Sequence, residues 1–191
     1  MAKTAANLAA VVAVVLGGVM GIEQVFADPV GLATVTLHVR DYDHVPAREL
    51  ADAQKKADKV YARIGIRLVW TGGSAALAAK DESAHFDVII LTSEMAGRLT
   101  GSGSEFGRAS RAARRALIYH PRIQAHAAKT RSDPACVLAL VLAHEVGHLL
   151  LPEYSHAPSG LMRAVWTGHL SGVPDFMRTQ ADSIRLLLAA N

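Results

Sequence analysis

From Asp133 to Pro152 the chain reads DPACVLALVLAHEVGHLLLP, and this stretch limits the fold more than any other. Asp133 before Pro134 is a helix start: the carboxylate accepts from a free backbone N–H, and proline occupies a first-turn position that needs no donor. No breaker follows until Pro152, which disfavours the helical region at Leu151, so the spacing predicts a helix ending there. The residues are apolar all round, which places the helix in the centre of a core and not on its surface. Yet His144, Glu145 and His148 lie inside it. They exclude a membrane span, and burying two imidazoles and a carboxylate without compensation is costly. A metal ion is one compensating partner.

The spacing suits such an ion. Residues four apart share one helix face, so His144 and His148 aim at a common point. Zinc takes nitrogen ligands at about 2.0–2.1 Å, and its catalytic sites use three protein ligands and keep one position for water. Glu145 lies next to His144 around the helix, near enough to reach that water without binding the metal. It is therefore the candidate general base, able to take a proton and later deliver it to a departing amine. A bare five-residue HExxH match arises by chance on surface helices, but an apolar helix is not a surface helix.

"HEVGH", a further histidine at position 156 and the methionine of "PSGLM" at 162 together resemble the metzincin clan of zinc metallopeptidases. The resemblance implies an α+β, zincin-type fold: a twisted, mostly parallel sheet with an antiparallel edge strand, a backing helix, a central active-site helix, and a small C-terminal part ending in a helix. It implies Zn2+ held by His144, His148 and His156, with Glu145 catalytic and Met162 in a tight turn under the metal. The clan pattern is HExxHxxGxxH. Here its glycine falls at Leu151 and its third histidine at Tyr154. A longer turn, PEYS, then brings His156 to the metal, with Glu153, Tyr154 and His169 as rival ligands. The Tyr154 hydroxyl reads as an ordinary loop group. By the same resemblance an extended peptide lies along an edge strand formed within Gly103 to Ser110.

The remaining segments agree with one domain. Leu32 to Arg40 alternates as a strand, and a helix follows Pro46, with Leu50, Ala53, Ala57, Val60, Tyr61 and Ile64 on one face, ending at Gly65. Ile66 to Trp70 and Ala116 to His120 read as strands, and the apolar run Phe86 to Thr92 as a central strand buried on both faces. The final segment is amphipathic, with Phe176, Ile184, Leu187 and Leu188 packing back.

A chain of 191 residues, 51% hydrophobic and 19% charged, is long enough for one sizeable core. Its single cysteine, Cys136, permits no internal disulfide and reads as a buried thiol. The net charge of +3 does not argue for nucleic acid, and Arg108, Arg111, Arg114 and Arg115 read as a solvated cluster without a nucleic-acid motif. His38, His44, His85, His120 and His126 lack paired ligand spacing and read as structural or exposed. At the N-terminus, Lys3, the apolar stretch Leu8 to Ile22 and small residues at Val25 and Ala27 form an export signal, residues 1–27. An uncleaved anchor is the weaker reading. The expectation is therefore a secreted or periplasmic protein, residues 28–191, with an upper part to 151 and a lower part from 152. It would act as a monomer on peptide or protein substrates, with no nucleic acid and no stable membrane insertion after cleavage. The alternative is a non-catalytic zinc-binding or envelope interaction module, against which the retention of Glu145 argues.

Overall fold

In the computed structural model, residues 32–72, 84–99, 103–152 and 155–190 are described; the expected signal at 1–27 lies outside them. Strand β1 (Ala33–Asp41) alternates as its sequence requires, burying Val35, Leu37 and Val39 on one face. Helix α1 (Ala47–Ala62) follows Pro46 and buries Ala53, Ala57, Val60 and Tyr61, one stripe of its surface. The chain then turns through Gly65, whose φ of +76° is a conformation glycine adopts without cost, into β2 (Ile66–Gly72). Strand β3 (Ala84–Ile90) leads to the short helix α2 (Ser93–Gly97), capped by the Thr92 side chain accepting from the Met95 N–H. Strands β4 (Gly107–Ser110) and β5 (Arg115–Ile118) precede helices α3 (His120–Thr130), α4 (Pro134–Leu150) and α5 (Arg178–Ala189).

The strands form one five-stranded sheet in the order β2-β1-β3-β5-β4. Strand β1 runs parallel to β2 and β3, and β3 parallel to β5, while β4 pairs antiparallel with β5 and forms an edge. The chain is thus α+β with a mostly parallel sheet and an antiparallel edge strand, as expected. Register places Val35 beside Leu68, Leu37 beside Phe86, and Val88 beside Ala116, so one face of the sheet is continuously apolar. Helices α1 and α4 complete one core with that face. The other face is polar over most of its area, with Asp87 pairing to Arg40 and Arg115 at 3.3 and 3.5 Å. Near α2 a second, small cluster forms among the described residues, from Ile89, Leu91, Ala96 and Tyr119. Strand β3 is therefore buried on both faces at its C-terminal end, while His85 and Asp87 keep its start half-exposed.

Two differences from the sequence reading concern the chain after β3. The strand expected over 116–120 stops at Ile118, and α3 begins at His120, with Pro121 in its first turn and Ile123 and Ala127 buried four apart. His120 itself is buried: its Nδ1 lies 2.6 Å from Asp43 Oδ2 and its Nε2 3.0 Å from Glu49 Oε1. It ties the loop after β1 and the first turn of α1 to the start of α3, a structural role consistent with its lack of ligand spacing.

Helix α4 begins as its sequence dictates, the Asp133 carboxylate accepting from the Ala135 N–H at 3.1 Å. Every residue from Ala135 to Gly147 is buried. At the other end Leu151 is extended (φ −101°, ψ 158°) ahead of Pro152. The Tyr61 hydroxyl, wholly buried, donates to the carbonyl of Ala143 at 2.9 Å, fixing α4 to α1 one residue before His144.

Candidate metal centre

His144 and His148, on one face of α4, meet His156 from the segment beyond Pro152. His144 Nε2 and His148 Nε2 are 3.0 Å apart, and His148 Nε2 and His156 Nε2 are 3.1 Å apart. One ring nitrogen from each residue lies within 4.8 Å of both others, a group that can hold a metal ion. His144 is buried, His148 half-buried and His156 exposed, so the cluster is anchored in the core and open on one side.

The outer nitrogens of His144 and His148 explain why those two rings point inward. His144 Nδ1 faces the carbonyl of Leu161 at 2.9 Å. A carbonyl only accepts, so Nδ1 carries the proton and the Nε2 lone pair faces the cluster. His148 Nδ1 is 3.0 Å from Ser155 Oγ, which supports the same orientation. Burial lowers the pKa of His144, and burial with the neighbouring His144 and His156 rings takes that of His148 down to about 4. Near neutral pH both rings are therefore neutral, and His144 turns a lone pair at Nε2 toward the cluster. A cation placed among the three ring nitrogens would be ligated by their lone pairs.

Below the cluster the chain makes a tight turn. Gly160 has a φ of +74°, and Arg163 N–H donates to the Gly160 carbonyl at 3.3 Å. Leu161 and Met162 lie between them, both fully buried. The turn orients His144 through the Leu161 carbonyl and presents Met162 to α4. A Cβ at Gly147 would lie 2.6 Å from Met162 Sδ. The glycine within HEVGH thus admits the methionine to the helix surface next to His148.

Glu145 points away from the turn, toward the edge strand. A Cβ at Gly107 would lie 2.6 Å from Glu145 Cγ and 2.8 Å from Oε1, so only glycine allows this approach. Burial, with the nearby Glu105 carboxylate, raises the Glu145 pKa to about 8; a hydrogen bond from the Ala109 N–H and the charge of Arg108 oppose the rise. Glu145 as a whole is only 6% exposed. Between β4 and α4 a cleft of about 580 Å3 opens onto Glu145 and all three histidines, with Val141, Ala164 and Trp166 among its walls.

His144, Glu145, His148, His156 and Met162 are therefore brought together. Of the rival ligands, His169 is exposed and outside the cluster, while Glu153 and Tyr154 lie outside the described residues. The edge strand is shorter than its expected window, Gly107–Ser110. The arginine cluster is partly engaged: Arg108 pairs with Glu105 at 3.0 Å, and Arg114 donates to the His85 carbonyl. Cys136 is buried. Sequence reasoning missed Gly107, Gly147 and Ser155. Gly147 carried a signal in the small residue between Glu145 and His148; the other two did not. The chain matches no protein-family model and no curated protein.

Proposed function

We propose that the chain is an exported, metzincin-like, zinc-dependent endopeptidase. The observation that carries this reading is the placement of the buried Glu145 carboxyl beside three converging imidazoles, in a cleft bordered by a free strand edge. Three imidazole nitrogens with an open side match the donor set of a catalytic zinc site. Nitrogens on a tetrahedron with zinc bonds of about 2.0–2.1 Å are about 3.3 Å apart. The observed separations of 3.0 and 3.1 Å are close to that. His144, His148 and His156 would hold the ion, which supplies Lewis acidity toward a water and a peptide carbonyl.

The protein's own groups supply the rest. Glu145, lining the same cleft as the three imidazoles, is the group placed to accept a proton from water and to give it to the leaving amine. A purely structural site has no use for that carboxyl. Strand β4 offers the substrate a backbone. The Tyr119 N–H donates to the Phe106 carbonyl at 2.8 Å. By alternation, Phe106 and Arg108 turn their backbone groups to β5, and Gly107 and Ala109 turn theirs to the opposite edge, where the Ala109 N–H meets Glu145 and the other groups face the cleft. An extended peptide pairing there is recognised through its main chain, whatever its side chains. The residues at 1–27 carry the export signal. Among the described residues no helix is long and apolar enough to cross a membrane.

Metal analysis of the purified chain is expected to find about one zinc per molecule. The wild type should cleave a mixed peptide library, and Glu145→Ala should retain zinc without cleaving. A chain that takes up no zinc, or a Glu145→Ala protein as active as the parent, overturns the reading.

A further inference from the structure

His156 reaches the cluster from a segment without regular secondary structure, so its position depends on what holds the residues on either side of it. On its C-terminal side the Ala157 N–H donates to the Met162 carbonyl at 2.8 Å, joining it to the tight turn. On its N-terminal side stands Ser155, with both polar ends engaged. Its Oγ is 3.0 Å from His148 Nδ1. Its carbonyl accepts from Gln180 Nε2 at 2.9 Å, across 25 residues of sequence. Gln180 is itself fixed, because its Oε1 accepts from the Met177 N–H at 3.2 Å at the start of α5. Helix α5 is in turn seated by buried Ala181 and Ile184.

We infer that Gln180 is a positioning residue for the metal centre: through Ser155 it sets both the ring of His148 and the approach of His156. The C-terminal helix is then part of the metal site, although none of its side chains is a ligand. The inference rests on the metal-binding reading above. Partners behind ligating histidines fix ring orientation and basicity, and losing one weakens metal binding by about 10–100-fold. The two arms of Gln180 have separate tasks. The amide oxygen caps α5, and the amide nitrogen holds Ser155.

Gln180→Glu separates them, since it keeps an oxygen for the Met177 N–H and sets an acceptor against the Ser155 carbonyl. The full chain, stripped and then titrated with Zn2+ or Co2+ against a competing chelator, should lose about 10–100-fold in affinity in this variant. The visible absorption of the Co2+ form should change, and the unfolding temperature of the metal-free form should not. Ser155→Ala should weaken binding in the same way, and Ser155→Thr, which keeps the hydroxyl, should restore it. Parent affinity and a parent Co2+ spectrum in Gln180→Glu overturn the inference and leave the metal reading intact. An affinity loss matched by an equal loss of metal-free stability assigns Gln180 a merely structural role and also overturns it. A parent chain that binds neither ion overturns both.

Discussion

Met162 Sδ occupies the space that a side chain at Gly147 would need: a Cβ there would be 2.6 Å from the sulfur and 3.2 Å from Phe176 Cε1. Methionine is flexible, but Met162 is fully buried and Phe176 stands beside it, so neither has open space to move into. Gly147→Ala should therefore destabilise the chain by about 1–3 kcal/mol, the usual cost of overpacking, despite alanine's better helix propensity. Because the displaced turn carries the Leu161 carbonyl that orients His144, metal affinity should fall as well. Denaturant unfolding and a metal titration check the two effects. An alanine variant as stable as the parent would show that the turn yields freely.

Gly107 relates to Glu145 as Gly147 does to Met162, with different consequences. A Cβ at Gly107 would meet the Glu145 side chain first, at 2.6 to 2.8 Å. Gly107→Ala should turn the carboxyl out of place and leave the metal ligands alone. The expected result is unchanged metal stoichiometry with peptide hydrolysis reduced, up to the roughly 10²–10⁴-fold that a general base contributes. Parallel metal analysis and steady-state kinetics distinguish this from a general loss of folding.

The third ligand can be tested against its rival directly. His156 Nε2 lies 3.1 Å from that of His148, whereas His169 is exposed and outside the cluster. His156→Ala should weaken metal binding beyond the about 10–100-fold typical of losing a hydrogen-bond partner behind a ligand. His169→Ala should bind as the parent does. Chelator competition reads both.

How far the sequence foretold this arrangement depends on the range of each signal. Local patterns sufficed for β1, α1 and α4, because alternation, a glycine stop and an unbroken apolar run are properties of neighbouring residues. Helix α3 was locally legible too, in Pro121 followed by Ile123 and Ala127. The ladder of β5 ends at Ile118, whose carbonyl still accepts from Leu91, and the apolar "ALIYH" hid that end. For the site, four-residue spacing gave His144 and His148 and order along the chain gave His156. Gly107 and Gln180 act on residues 38 and 25 positions away, Glu145 and Ser155. Those pairings exist only once β4 and α5 have docked.

The titration of the site should be visible in the stability of the metal-free chain. His144 and His148 have folded pKa values below the usual 6.5 of histidine, about 4 for His148, so below pH 6.5 the unfolded chain binds protons that the folded chain refuses. Their contribution is stability present above pH 6.5 and lost as the pH falls toward 4. Glu145 runs the other way. Its pKa rises from 4.5 to about 8, so between those values the folded chain holds a proton that the unfolded chain has released, and stability falls as the pH rises. From 4.5 to 6.5 the one glutamate opposes the two histidines and only partly offsets them, and from 6.5 to about 8 the glutamate acts alone. Over that upper window the metal-free chain should lose at most about 1.4 kcal/mol per pH unit. Glu145→Gln should abolish this fall and, by removing the opposing slope, steepen the rise in stability between pH 4.5 and 6.5. Urea unfolding of the chelated protein across this pH range measures both limbs. A wild-type stability that stays level from pH 6.5 to 8 would mean that the buried carboxyl is already ionised, and that water reaches it more freely than its packing against Gly107 allows.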